Sequence, residues 1–146
     1  IMFRIFFILL VVLLFSCSPQ KKEKNEKEVN VSTAVSGITS MEFEEEFHDL
    51  ESLISGEIVV STFVFTNVGE HNLLINNIES DCGCVSVHFS KEPVKPGDSG
   101  IIEIEFDSSG LFGQQFKSIE IHANTKDLKH LAIFASVKNE DLEIKY

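Results

Sequence analysis

From Met41 onward, the apolar residues of this chain recur at every second position. "IIEIEFDS" sets Ile102, Ile104 and Phe106 on one face and Glu103, Glu105 and Asp107 on the other. "KSIEIHAN" sets Ile119, Ile121 and Ala123 against Glu120, His122 and Asn124, and "HLAIFASV" aligns Leu131, Ile133, Ala135 and Val137. "EIVVSTFVFTN" is apolar on both faces in places, with Val59, Phe63 and Phe65 as its inward set. Alternation built from β-branched and aromatic residues predicts half-buried antiparallel strands. No segment beyond the N-terminal apolar run sustains a helical stripe.

Turn residues punctuate the pattern. "TNVGEHN" places Asn67 and Gly69 between two runs, and "DSSGLFGQQ" supplies Gly110 and Gly113 to a longer connection. "VKPGDSG" contains Pro96-Gly97, a pair suited to the centre of a type II turn: proline presets the first φ and glycine accepts the positive second one. The strands predicted are 41–47, 57–66, 72–79, 84–89, 100–107, 115–124 and 129–138. Seven short strands in a stretch of this length predict an all-β, immunoglobulin-like antiparallel β-sandwich over residues 41–138, with a small barrel as the alternative. Trp is absent and the sandwich-cysteine positions are empty, so Phe, Ile, Val and Leu must form the core.

The N-terminus follows a different logic. Arg4 precedes eleven unbroken apolar residues, Ile5 to Phe15. Eleven helical residues reach about 16 Å, short of a hydrocarbon core of about 30 Å, so the run predicts export and cleavage rather than a span. "LLFSC", Leu13 to Cys17, resembles the lipobox of bacterial lipoproteins, in which lipid is attached to the cysteine and the signal is cut just before it. That resemblance implies a signal peptide over 1–16, fatty acyl chains such as palmitate on Cys17, and a firm hold on a membrane, because several chains anchor where one is marginal. "SPQKKEKNEKEVNVSTAVSG" has almost nothing to bury, so 17–40 reads as the lipidated cysteine and a flexible tether reaching roughly 25 Å. Residues 139–146 read as a frayed C-terminal tail.

Charge narrows the partners. The chain carries 12 basic and 23 acidic residues. Without Arg4, the four tether lysines and Glu23, Glu26 and Glu28, the domain and its tail keep 7 and 20, a net of −13. Such a surface repels phosphate backbones and excludes nucleic acid as a partner. It also stands off an anionic bilayer, which suits a tethered domain.

The order of "FEEEFHD", "FVFTNVG", "LLINNIESDCGC" and "EPVKPGDSGIIEIEFDSSG" resembles a family of bacterial domains of unknown function. These domains carry a Cys-Gly-Cys-Thr motif, are common on lipoproteins of Bacteroidota-type bacteria, and are related to the Hydin-type immunoglobulin-like group. The resemblance covers about residues 41–138 and implies the sandwich but no activity. The chain departs from it at Val85 for a usual threonine, at Leu50-Glu51 for a usual Phe-Gly, and at Ala135 for a usual glycine.

The chemistry-bearing pair is Cys82 and Cys84 in "DCGC". Outside the cytoplasm, thiols are under pressure to oxidise. On a regular strand the two Cα atoms would lie about 6.6 Å apart, near the upper limit for a bridge, so a disulfide needs a buckled backbone, which Gly83 would permit. Four readings stand: a structural bridge or two buried thiols, thiol exchange, a soft ion such as Cu(I) held with His88, or an intermolecular link. On an unbroken strand His88 would sit about 13 Å from Cys84, a poor ligand position.

Elsewhere the inventory is thin. "GDSG", Gly97 to Gly100, resembles the nucleophile loop of chymotrypsin-like proteases but follows Pro96 in a turn and lacks a partner histidine motif. His48, His71, His122 and His130 are dispersed and read as surface or strand-end residues, and Glu44, Glu45 and Glu46 as a solvated edge. The sequence therefore predicts no catalytic residues, no cofactor and no metal site beyond the Cys82–Cys84 candidates. The expected protein is a non-enzymatic binding or scaffolding module, lipid-anchored in the cell envelope at the outer membrane or periplasmic face, with envelope proteins as partners. The alternative is a thiol-redox or copper-handling protein.

Overall fold

A computed structural model of the chain describes residues 37–139, and eight strands fall within them. They are β1 (Met41–Phe43), β2 (Phe47–Ile54), β3 (Ile58–Asn67), β4 (Ile75–Ser80), β5 (Val85–Phe89), β6 (Ser99–Asp107), β7 (Gly113–Ala123) and β8 (Lys129–Lys138). One sheet runs β1-β3-β6-β5 and the other β2-β8-β7-β4. All pairings are antiparallel except β2 with β8. Two sheets with free edges make a sandwich, and the barrel alternative falls away.

The inward faces are those the alternation specified. Phe63, Phe65, Ile102, Ile104, Phe106, Ile119, Ile121, Leu131, Ile133, Ala135 and Val137 are all buried, and Val59 packs against them. Phe43 meets Phe65 edge-on at 5.9 Å, an arrangement that suits the ring quadrupoles. The Pro96-Gly97 turn forms as expected: Gly97 has φ +82°, and the Asp98 N–H donates to the Lys95 carbonyl at 3.0 Å.

The first predicted strand, 41–47, is two strands in different sheets. Glu44, Glu45 and Glu46 cannot continue an inward-outward alternation, and the chain crosses there from the first sheet to the second. β2 escapes a period-two reading because its register shifts between Asp49 and Ser52. Its inward positions are His48, Leu50 and Leu53, and the bulge changes their spacing from two to three. Glu51 sits in this bulge at φ +60°, the left-handed region that favours glycine. The predicted strand 72–79 starts late: Leu73 makes only an isolated bridge to Val94, and β4 begins at Ile75.

Candidate functional site: the Cys-Gly-Cys turn and the sheet edges

Cys82 and Cys84 lie in the turn that carries the chain from β4 in the second sheet to β5 in the first, not on a strand. The turn brings their Cα atoms to 5.3 Å, and the two sulfurs are bonded. Both side chains are half-buried against the core. The turn is held from both sides. Asp81 N–H donates to the Ser118 carbonyl, and the Ser118 N–H returns a bond to the Asp81 carboxylate at 3.1 Å. On the other sheet, Asp107 N–H donates to the Cys84 carbonyl at 2.9 Å. Ser80 Oγ donates to the Cys82 carbonyl at 3.0 Å, and Cys84 N–H points at Cys82 Sγ at 3.0 Å.

Gly83 contributes less than the sequence suggested. Its φ is outside the left-handed region, and a Cβ built on it meets no atom within 4 Å. The buckle comes from the crossing between sheets, not from a glycine-only conformation.

His88 is exposed on the outer face of β5, opposite Glu103 of β6, while the neighbouring Val87 and Phe89 pack on the core. With both sulfurs in the disulfide, neither is a free thiolate to join it. Among the described residues, no group of three or more His, Cys, Asp or Glu side chains is placed to hold a metal ion. Cys17 lies outside the described residues, as do the predicted signal peptide and all of the tether before Gly37.

Other residues singled out from the sequence have structural positions. Ser99, in the protease-like "GDSG", opens β6 and shares a hydrogen bond with Thr66 at 2.9 Å. His48 lies at the start of β2, as a strand-end residue, and is half-buried. Its ring stacks on Phe63 at 4.0 Å, Nδ1 bonds Ser61 Oγ at 2.6 Å, and Nε2 faces the Glu45 carboxylate at 3.3 Å. It closes the side of the sandwich between β2 and β3. Asp107, beside the turn, has its carboxyl held below the ordinary range by hydrogen bonds from the Ser109 side chain and then from the Ser109 N–H.

Two buried polar hubs went unread in the sequence. Asn67 is fully buried at the end of β3. Its amide donates to the carbonyls of His71 (2.8 Å) and Val94 (2.9 Å), and its oxygen accepts from Thr39 Oγ1 (2.8 Å) and Gly69 N–H (3.2 Å). Ser108, also fully buried, ties down the turn between β2 and β3 through the carbonyls of Ile54 and Glu57 and the N–H of Gly56. A polar residue closing an alternating run two positions before a glycine, as in "TNVG" and "DSSG", was the available signal.

The sheet edges form the remaining candidate surface. β1 pairs with β3 only over Phe65–Asn67, and flanking bonds join Glu44 N–H to the Val64 carbonyl and Val68 N–H to the Ser40 carbonyl. Below Val64, among the described residues, β3 is paired on one side only, by β6.

These features define an immunoglobulin-like β-sandwich in which the chain passes from the first sheet to the second between β1 and β2. A family described as "Protein of unknown function (DUF1573)" matches residues 41–137, well over half of the chain, and the chain belongs to that family. No curated protein matches it. Among solved structures, a protein of unknown function from Porphyromonas gingivalis W83 is similar at TM-score 0.61 and 20% identity, over 70% of this chain and 48% of that one. The chain thus spans about half the length of that protein. The ASH / PapD-like domain 7 of human CEP192 is similar at TM-score 0.55 and 12% identity, over 70% and 87% of the two chains. The Vibrio cholerae VesB protease is similar at TM-score 0.52 and 15% identity, over 75% and 33%. At these identities the likeness is one of fold.

Proposed function

We propose that this chain is a cell-envelope lipoprotein, held by lipid on Cys17, whose sandwich serves as a non-enzymatic binding or scaffolding module for other envelope proteins. The observation that carries the reading is the incomplete edge of the first sheet, where β1 leaves β3 half covered. An unpaired edge is a ready template for an extended segment of another chain. The anchor is supported by "LLFSC" and by the resemblance to Cys-Gly-Cys-Thr lipoprotein domains, and the acidic surface suits a domain held off the bilayer. The test has two arms. Metabolic labelling with a palmitate analogue should mark the chain and fail on Cys17→Ala. Cross-linking in intact cells should join the domain to a defined envelope protein; a chain that is never cross-linked to one ends the reading.

The adjacent sulfurs of Cys82 and Cys84 favour a second reading, thiol–disulfide exchange. A partner dithiol would pass two electrons and two protons to the bridge, leaving Cys82 and Cys84 reduced and the partner oxidised. The reduced pair would also be the form able to take Cu(I). Thiol titration and metal analysis of protein from its native compartment decide this. A bridge that no dithiol reduces, with no bound ion, eliminates it.

A further inference from the structure

The open part of the β3 edge has a defined phase. The Val64 carbonyl accepts from Glu44, and Val68 N–H donates to the Ser40 carbonyl, both on the β1 side. Asn67 bonds in the opposite direction, to Asp98 and Gly97. In an antiparallel ladder the N–H and C=O of one residue point the same way, and successive residues alternate. Ile58, Val60 and Thr62 therefore direct their backbone groups outward, where no described strand pairs with them. Their side chains are exposed too: Ile58 is 59% and Val60 56% accessible.

The other edges carry the devices that block pairing. β2 is bulged between Asp49 and Ser52, with Glu51 at positive φ. β4 is bulged between Ile75 and Asn77. β5 has five residues, and its exposed positions are polar, Ser86 and His88. β3 instead keeps one register with β6 through nine consecutive pairs, Ile58 to Thr66, with no proline and β-branched residues at each outward position from Ile58 to Val64.

The surroundings are acidic. Glu44, Glu45 and Glu46 lie above the open edge and Glu57 below it. Glu103 and Glu105 of β6 stand opposite Thr62 and Val60. Neither β1, β3, β6 nor the Glu44–Glu46 crossing contains a lysine or arginine.

We propose that the Ile58–Thr62 edge of β3 takes an extended segment of a partner protein in which apolar and basic residues alternate. The segment is added antiparallel to β3, in line with β1. The inference rests on the binding-module reading and specifies its edge and its ligand chemistry. The guest's backbone pairs with Ile58, Val60 and Thr62. Its lysine or arginine stems lie over Ile58 and Val60, and their head groups face Glu57 and Glu105. A second copy of this chain fits poorly, since it would bring one acidic edge against another.

The test uses the full chain and a synthetic capped heptapeptide of alternating lysine and valine, with a glutamate–valine peptide as control. The basic peptide should bind saturably, and its affinity should fall about tenfold or more between low and physiological salt. It should slow amide exchange at Val60 and Thr62 while leaving the β2, β4 and β5 edges unchanged. Val60→Pro removes an outward N–H without removing a bond to β6, so it should abolish binding while exchange protection in β7 and β8 persists. Equal binding of the acidic peptide, protection at another edge, or unchanged binding by Val60→Pro overturns the proposal. So does self-association that Val60→Pro abolishes in a chain that takes up neither peptide. If Val60→Pro still cross-links to the envelope partner in cells, this edge assignment fails and the module reading stands; if no partner is cross-linked even by the parent chain, the module reading itself fails.

Discussion

Reduction of the Cys82–Cys84 bridge removes a cross-link that closes a loop of only three residues. In the chain-entropy treatment, such a loop restricts the unfolded chain by about 5.4 cal/mol/K, which is about 1.6 kcal/mol at room temperature. The structure limits any larger effect. The turn keeps its bond from Asp107 N–H to the Cys84 carbonyl, its reciprocal pair between Asp81 and Ser118, and the bond from Ser80 Oγ to the Cys82 carbonyl, and none of these needs the sulfur–sulfur bond. A domain of this size has roughly 5–15 kcal/mol of stability, so it should remain folded when reduced. With a urea slope of about 1.5 kcal/mol/M, the midpoint should fall by about 1 M. Cys82→Ser/Cys84→Ser should unfold at the same midpoint as the reduced parent and show no further response to reductant. A reduced protein that is already unfolded without urea would refute the reasoning, because the bridge would then be supplying far more than loop closure.

Three further outcomes follow from particular contacts. Asn67→Ala strands the Thr39 hydroxyl, the Gly69 N–H and the His71 carbonyl, while the Val94 carbonyl keeps its bond from Leu73 N–H, so it should cost about 3 kcal/mol and lower the melting temperature by about 12 °C or more, read by thermal denaturation. At the φ +60° position in β2, Glu51→Gly should raise the urea midpoint by a few tenths of a molar, a gain of about 0.5 kcal/mol, whereas Glu51→Val should lower it; equal midpoints would contradict the bulge geometry. The Asp107 carboxyl should titrate below the ordinary carboxylate range by NMR. Because its folded pKa is lowered, its stabilising contribution is complete above the unfolded value and is lost as pH falls through the folded one, and Ser109→Ala should bring the titration back toward the ordinary value.

Much of the sandwich was legible because burial of one sheet face imposes a period of two on the residues. Ile102, Ile104, Phe106, Leu131, Ile133 and Val137 could be placed on one side of their strands from the letters alone, and Pro96-Gly97 specified its turn. β2 was not legible as a separate strand because its bulge breaks the period: His48, Leu50 and Leu53 face inward at spacings of two and three. The site was legible as residue types and not as geometry. The spacing of Cys82 and Cys84 left bridge, thiols and metal all open, since each depends on whether the intervening backbone is a strand or a turn.

Side-chain character repeated along the chain determined the fold class, the inward faces and the acidity of the surface, because each of these is a sum over local choices. Which strand stands beside which is a matter of long-range pairing, and no local pattern encodes it. Only the folded chain decided that the path crosses between the sheets at Glu44–Glu46, that Asn67 ties together segments from Thr39 to Val94, and that, among the described residues, the Ile58–Thr62 part of β3 pairs on one side only.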